Sequence, residues 1–177
     1  MRIENGFDVQ ASHQAAWALL TDVPRVVPCM PGATLERAID EYTWEVLQKV
    51  KLGPISLQFR SELRQEQLDE AQGLAVLAVK AKEVRGKGGA EATIRSGLSP
   101  TATGTRVELV TDLELRGAVA QYGRPVVGSV AEELTRQFAA CLAAMLAEEP
   151  TAKAPQVKPV GGLRLLLRSL GRRLFRA

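Results

Sequence analysis

The fold is decided by the stretch Gly123–Glu148, which reads GRPVVGSVAEELTRQFAACLAAMLAE. Its apolar residues recur at steps of three and four, which puts them on one stripe of a helix with about 3.6 residues per turn. These residues are Val127, Val130, Ala131, Leu134, Phe138, Cys141, Leu142 and Met145. Pro125 suits the first turn of a helix, because its missing N–H costs no hydrogen bond there. We therefore predict one long amphipathic helix, about 37 Å in length.

The chain before this helix consists mainly of short segments in which apolar and polar residues alternate. One strand is predicted at residues 2–9, followed by a helix at 13–20 and a second short helix that ends near Pro28. Six further strands are predicted near residues 33–39, 42–51, 55–66, 72–82, 87–98 and 104–115. Short turns join them, which implies antiparallel pairing. The predicted fold class is α+β: a curved antiparallel sheet of about seven strands around a long C-terminal helix.

The composition allows one domain plus an appendage, with an aliphatic core, since aromatic residues make up only 5% of the chain. Cys29 and Cys141 are the only cysteines. Nothing in the sequence places them together, so we expect no disulfide and a reducing compartment. The N-terminus carries no apolar stretch typical of a secretory signal, and no run approaches the roughly 20 apolar residues of a membrane-spanning helix.

Charge is distributed unevenly along the chain. The net charge is +3, but residues 150–177 contain seven basic residues and no acidic one, which leaves −4 for residues 1–149. Three prolines interrupt the segment that follows the long helix, as in an extended linker. We therefore predict a folded domain at 1–148, a Pro-rich linker at 149–161 and a basic amphipathic helix at 162–177.

The predicted helix 162–177 combines leucines with arginines, a composition typical of a helix at a membrane surface. Arginines attract anionic headgroups while leucines enter the acyl boundary. The predicted membrane-binding residues are Leu163, Arg164, Leu166, Leu167, Arg168, Leu170, Arg172, Arg173, Leu174, Phe175 and Arg176. A disordered basic tail and a helix that docks on a protein are the alternatives. Nucleic acid is not an expected partner, since leucines do not contact phosphates and no stacking aromatics interleave them.

Three local motifs follow one another along the chain. They are VVPCMPGA at Val26–Ala33, VKLGPI at Val50–Ile55 with Phe59 after it, and GAVAQYGRP at Gly117–Pro125. Together they resemble the CoxG family of carbon monoxide dehydrogenase subunits. The order of strands and helices likewise resembles the START-like, Bet v 1-like (SRPBCC) superfamily, whose members have a helix-grip fold. The resemblance spans about residues 1–147.

This resemblance implies a non-enzymatic accessory protein. Its role would be to recruit a molybdenum hydroxylase of the CO dehydrogenase type to the cytoplasmic membrane, where electrons enter the respiratory chain. The protein is then expected in the cytoplasm, peripheral on the anionic inner face of the membrane. Proteins of the superfamily commonly bind hydrophobic ligands between sheet and helix, so a quinone-like small molecule, or a lipid, is the expected ligand; no other cofactor is expected. A lipid-transfer or sensing module, or a cyclase or hydrolase using the same cavity, are the alternatives.

Strand parity and the helix stripe predict which residues line such a cavity. The candidates are Leu57, Phe59, Leu77, Ile94, Leu109, Leu113, Val127, Leu134 and Phe138. Small residues on or beside the helix stripe, Gly128 and Ala131 among them, leave volume unfilled and favour a pocket over a solid core.

Three further residues have two interpretations each. Met30 either gates the cavity mouth as an adaptable apolar side chain or belongs to a turn that only links the helices to the sheet. Tyr122 and Arg124 either hydrogen-bond the polar head of a ligand or fix the entry into the long helix.

The sequence predicts no catalytic residue and no metal site. His13 is the only histidine, so neither a catalytic triad nor a histidine-based metal site can be assembled around a second one. Cys29 is expected to be a buried, inert small hydrophobe. The run Gly86–Gly89 lacks the spacing of a phosphate-binding loop and is expected to form a hairpin or bulge.

Overall fold

A computed structural model describes residues 1–52, 55–86 and 88–148. In chain order its elements are β1 (Arg2–Val9), α1 (His13–Leu20), α2 (Val23–Val26), a first 3₁₀ turn (Val27–Cys29), β2 (Ala33–Asp40), β3 (Thr43–Leu52), β4 (Ile55–Asp69), β5 (Leu74–Glu83), β6 (Gly88–Thr101), β7 (Gly104–Gly117), a second 3₁₀ turn (Ala118–Tyr122) and α3 (Gly123–Glu148). The predicted strands and helices of the domain are thereby confirmed to within a few residues. The predicted linker and the predicted membrane-binding helix lie outside the described residues.

All seven strands form one antiparallel sheet in the order β1-β7-β6-β5-β4-β3-β2. Successive strands are neighbours from β2 to β7, as short hairpin connections dictate. The first strand, β1, forms one edge of the sheet and pairs with the last strand, β7, where Phe7 lies opposite Val107. Between β1 and β2 the chain makes α1 and α2, so both short helices lie at one end of the curved sheet.

The two faces of the sheet differ because apolar and polar residues alternate along each strand. In β7 the side chains of Leu109, Thr111 and Leu113 point to the concave side. The opposite side carries charges that pair across strands: Arg95 Nη1 lies 2.6 Å from Asp112 Oδ2. The predicted parity of this strand is therefore confirmed, and the convex face is a solvated polar surface.

Side-chain caps start both short helices. Ser12 Oγ accepts a hydrogen bond from the Ala15 N–H at 3.2 Å at the start of α1. Asp22 Oδ1 accepts from the Arg25 N–H at 3.3 Å at the start of α2. Helix α1 then packs Trp17 into a buried cluster with Leu98 of β6 and other apolar residues. This helix closes one end of the space enclosed by the sheet.

The long helix α3 is packed differently along its two halves. In its second half Phe138 and Leu142 are buried against Leu19 of α1 and Val26 of α2, and the Phe138 ring meets Phe7 of β1 edge-on with centroids 6.2 Å apart. In its first half the apolar stripe is only half-buried, although it faces the sheet. The prediction of one long amphipathic helix is confirmed, and the helix covers a space that side chains do not fill.

The expectation of two separate cysteines is wrong. Cys29 and Cys141 form a disulfide, with their Cα atoms 5.4 Å apart. The first 3₁₀ turn lies against the second half of α3 in the same buried cluster, which brings together residues 112 positions apart in the chain. Cys29 is buried, as expected, but it is not a free thiol, so the cysteines give no support for a reducing compartment.

Breaking this disulfide is expected to destabilise the domain. Because the bond closes a loop of more than 100 residues, reduction should lower the free energy of unfolding by about 2–4 kcal/mol. Urea unfolding with and without reductant measures the difference. A Cys141→Ala variant is the control, since reductant should leave its unfolding midpoint unchanged. Equal midpoints for the natural chain in both conditions would contradict the pairing.

Candidate functional site: a cavity under the first half of α3

A cavity of about 420 Å³ lies between the concave face of the sheet and the first half of α3. This volume is within the range of known small-molecule pockets, about 300–1,000 Å³. The helix contributes a wall of half-buried apolar side chains: Val127, Val130, Ala131 and Leu134. Phe138 ends the cavity where α3 meets the buried cluster around α1 and α2.

Small residues in the middle of the sheet create this volume. Ser61 of β4 pairs with Ala81 of β5, and Ala81 pairs with Ala90 of β6. All three side chains face the cavity, and so does that of Ala92. Larger side chains in this row would meet α3 and form a solid core. The short side chains leave the space beneath α3 open.

Polar side chains, Thr111 and Thr135 among them, interrupt the apolar lining at several places, and two polar pairs lie on separate sides. On one side of the cavity Asn5 of β1 and Ser96 of β6 both pair with Leu109 of β7. On the other side Gln48 of β3 and Ser61 of β4 lie on neighbouring strands. These four residues line the cavity. In the part of the chain that the structure describes, their side chains have no hydrogen-bond partner, and none of their polar atoms is both buried and unsatisfied.

These polar residues are not among the predicted site residues. A signal for them exists in the sequence, because each occupies an inward position of an alternating strand, where an apolar residue is usual. By contrast, Gln65 also reaches the lining but is already engaged: its Nε2 donates to the Thr21 carbonyl oxygen at 2.6 Å. It ties β4 to the end of α1.

The strongly perturbed acids lie away from the cavity. A hydrogen bond from Arg37 lowers the pKa of Glu45 on the convex face. Hydrogen bonds from Arg136, and then from Gln137, lower the pKa of Glu133 to about 2 on the outer side of α3. Tyr122 is the one ionisable side chain among the described residues that line the cavity.

The structure places eleven of the twelve predicted ligand-binding residues on the cavity wall. They are Met30, Leu57, Phe59, Leu77, Ile94, Leu109, Leu113, Tyr122, Val127, Leu134 and Phe138. Their contact with a ligand stays a prediction. Met30 also packs against the buried cluster that contains Cys29, so it links the turn to α3 as well as facing the cavity.

Arg124 is the one predicted ligand-binding residue that does not line the cavity. Its side chain is exposed rather than part of the cavity lining, and its Nη2 points to the Arg2 carbonyl oxygen at 3.5 Å. This contact ties the start of α3 to β1 and supports the interpretation in which Arg124 fixes the entry into the long helix.

Two other features of the described domain are not candidate ligand-binding sites. His13 stacks on Trp17 of the same helix, with ring centroids 6.4 Å apart, and lies outside the cavity. An open depression of about 620 Å³ on the convex face is lined by charged residues such as Glu91 and Asp112, whose carboxylates pair with arginines of that face. Across the described ranges, no three His, Cys, Asp or Glu side chains are grouped to hold a metal ion.

None of the helices in the described part of the chain is long and apolar enough to cross a membrane.

Comparison with solved structures supports the fold. A conserved protein from Geobacillus kaustophilus superposes with a TM-score of 0.74 at 18% identity, over 83% of this chain and 95% of that chain. The ZhuI aromatase/cyclase from Streptomyces sp. R1128 has a TM-score of 0.59 at 16% identity, over 83% and 93% of the two chains. A START superfamily protein from Mycobacterium smegmatis has a TM-score of 0.54 at 14% identity, over 82% and 97%. Identities this low show the helix-grip fold alone.

Comparison of sequences identifies the family. No curated protein matches the sequence of this chain. The sequence profile of the carbon monoxide dehydrogenase CoxG family matches residues 6–147, which is nearly the whole of the described domain. The chain therefore belongs to the CoxG family of carbon monoxide dehydrogenase subunits, a family of accessory proteins.

Proposed function

We propose that this protein is a non-enzymatic accessory subunit with two tasks. It binds a quinone-like molecule in the cavity under α3, and it recruits a molybdenum hydroxylase of the CO dehydrogenase type to the inner face of the cytoplasmic membrane. The family supports the partner enzyme, because it is named for a subunit of carbon monoxide dehydrogenase. The cavity supports the ligand.

The observation that carries the ligand proposal is the distribution of polarity in the cavity. Most of the lining is aliphatic, but Asn5 with Ser96 and Gln48 with Ser61 place free hydrogen-bonding groups at two separate parts of the wall. A quinone is a flat apolar ring with two carbonyl acceptors at opposite edges. Amide and hydroxyl side chains can donate to both carbonyls while the apolar wall surrounds the ring.

The alternatives fit the cavity less well. An acyl lipid would leave at least one of the two polar sets without a partner, which costs free energy. A cyclase or hydrolase would need a positioned acid, base or nucleophile, and Tyr122 is the one ionisable group among the described lining residues. The likeness to an aromatase/cyclase is one of fold. The accessory role therefore has the stronger support.

Membrane recruitment is supported by the sequence beyond the described domain. Residues 150–177 carry seven positive charges and no negative one, and the predicted helix 162–177 adds leucines that suit the acyl boundary. An anionic inner leaflet attracts such a segment by about 1 kcal/mol per basic residue. Binding of this strength is reversible. It would hold the cavity close to the bilayer in which quinones dissolve.

Filling the cavity is expected to abolish ligand binding without unfolding the domain. In an Ala81→Phe variant the new ring would occupy the space beneath α3, because Ala81 lies in the row of small residues facing the helix. Binding of a naphthoquinone with a short isoprenoid chain, followed by tryptophan fluorescence, should weaken at least tenfold.

The matched control is Ala78→Phe on the same strand, since Ala78 faces the convex side. It should bind the naphthoquinone as the natural chain does, and circular dichroism should show that both variants are folded. Undiminished binding by the Ala81→Phe variant would place the ligand outside this cavity.

Replacing the two amide side chains that face the cavity is expected to weaken the binding of quinones selectively. Asn5→Leu and Gln48→Leu each delete donors that face the cavity. Since a hydrogen bond contributes about 0.5–1.5 kcal/mol, each change should weaken the binding of a naphthoquinone by roughly 2- to 12-fold. A methylnaphthalene of similar shape has no carbonyl, so its affinity should not fall. Equal losses for both molecules would show that the amides only shape the cavity.

Recruitment is tested by flotation of anionic vesicles with the purified dehydrogenase. The enzyme should float only when this protein is present, and a chain lacking residues 160–177 should leave both proteins in the unbound fraction, because the basic helix is missing. Neutral vesicles are the control. Flotation of the truncated chain with anionic vesicles would show that the tail is not the membrane anchor.

A further inference from the structure

Helix α1 covers one end of the cavity, where Trp17 packs on Leu98. Among the described elements only the second 3₁₀ turn, through Val119 and Tyr122, lines the opposite end beside the strand ends. At the opposite end the strand register brings together the β3–β4 hairpin, the β5–β6 hairpin and the connection from β7 to α3. Gly88 at the start of β6 pairs with Gly117 at the end of β7. We call this the open end of the cavity.

Exposed apolar side chains occur at the open end. Val84, in the β5–β6 hairpin, has 51% of its surface exposed, and Val126, in the first turn of α3, has 43% exposed. A single exposed valine is ordinary for a protein surface. Here two exposed valines, one on each of two elements that meet the open end, add apolar surface to it; these elements are called the rim of the open end.

The charged groups of this rim are basic and unpaired. Lys51 and Lys82 are the next-to-last residues of β3 and β5, on the convex side of those strands. Arg85 lies in the β5–β6 hairpin and Arg124 in the first turn of α3; all four side chains are exposed. None of them forms an ion pair with another residue in the described ranges. The one acid of the β5–β6 hairpin, Glu83, is only 5% exposed, and its carboxylate accepts from the Arg85 N–H at 2.9 Å. The rim therefore presents positive charge outward.

The convex face is organised in the opposite way. Its arginines lie against acids of neighbouring strands: Arg106 pairs with Asp8 at 3.0 Å, and Arg116 with Glu91 at 3.1 Å. Lys80 forms no ion pair within the described ranges, but it is placed between Glu62 and Glu91 by the strand register. Of the exposed basic residues without an ion pair in the described ranges, four thus lie at the open end, and Lys49, Arg64 and Lys80 lie on the convex face; residues 1–149 carry a net charge of −4.

We propose that the rim of the open end docks on an anionic lipid bilayer, so that the cavity opens directly into the membrane. Headgroups pair with Lys51, Lys82 and the two arginines, and Val84 and Val126 enter the boundary of the acyl layer. The apolar ligand then passes between acyl chains and cavity wall without crossing water. This inference rests on the proposed ligand binding, and it adds a second membrane contact, made by the domain itself.

Chain length is compatible with both contacts at once. Helix α3 begins at the open end and leads away from it for about 37 Å. The predicted linker, residues 149–161, spans at most about 45 Å when extended. It is therefore long enough to return the predicted tail helix to the same membrane plane as the rim.

The test places a tryptophan at the rim and asks whether it meets lipid. In the full-length chain, Val84→Trp should be quenched by brominated acyl chains in vesicles containing phosphatidylglycerol. Tyr42→Trp is the matched control: Tyr42 is 50% exposed in the β2–β3 hairpin, away from the open end. It should not be quenched. The two native tryptophans are both 7% exposed and give the common background.

Vesicle sedimentation of the same variants separates the possible outcomes. Bound protein with no quenching at Val84→Trp would overturn the docking surface while leaving tail-mediated recruitment intact, and the rim would then be free to meet the dehydrogenase. Equal quenching at Val84→Trp and Tyr42→Trp would also overturn it, because the domain would have no fixed orientation on the bilayer.

Neutralising the rim gives the second measurement. The double variant Lys82→Gln/Arg85→Gln should bind anionic vesicles about 25-fold more weakly, at about fivefold per charge. Lys80→Gln on the convex face is the control and should bind as the natural chain does. Naphthoquinone binding in vesicle-free solution should be unchanged in both variants. Unchanged vesicle binding by the double variant would overturn the docking proposal. If the natural chain and both variants all failed to bind naphthoquinone, the result would instead contradict the proposed ligand binding, on which the docking proposal rests.

Discussion

The structure depends on how α3 is held. Its second half is fixed by Phe138 and Leu142 against α1 and α2, and the Cys29–Cys141 disulfide joins the same region covalently. Its first half contacts β1 through Arg124 and the Arg2 carbonyl oxygen, but it has no such buried cluster over the middle strands, which carry small residues. A helix anchored at one end over a concave sheet can enclose a volume without collapsing onto it. The cavity therefore begins where the close packing between α3 and the short helices ends.

The polarity of the cavity follows from the same arrangement. Inward positions in a solid core must be apolar, because a buried polar group without a partner is costly. Beneath the first half of α3 this restriction is relaxed, and Asn5, Gln48 and Ser96 face open space. Their free donors and acceptors are tolerable in the empty protein because water can reach them. They gain specific partners when a ligand of matching shape replaces that water.

Much of this fold follows from local patterns. The alternation in β7 predicts the inward side chains Leu109 and Leu113, and the stripe on α3 predicts Val127 and Leu134. One error comes from long-range geometry. The disulfide depends on the approach of segments 112 residues apart, which no local pattern records. For Arg124 the sequence leaves open whether the side chain meets a ligand or fixes the start of α3, and its contact with the Arg2 carbonyl oxygen supports the second interpretation. The inward polar residues stand out in the sequence, because they occupy strand positions where apolar residues are usual. A function can be assigned to them only once the cavity is known.

The geometry also constrains how the proposed accessory role could work. A cavity with one open end has one route for its ligand, so the bilayer and the dehydrogenase would have to use that route in turn. If the rim meets the bilayer through a few basic residues, each contact is weak and the domain can leave it readily. The predicted tail would keep the protein at the membrane during that time, because it is joined to the domain only through residues 149–161. A weak contact at the mouth and a separate anchor on a linker would let one protein exchange a poorly soluble ligand between two partners. A single strong membrane contact at the mouth would block the dehydrogenase from the ligand.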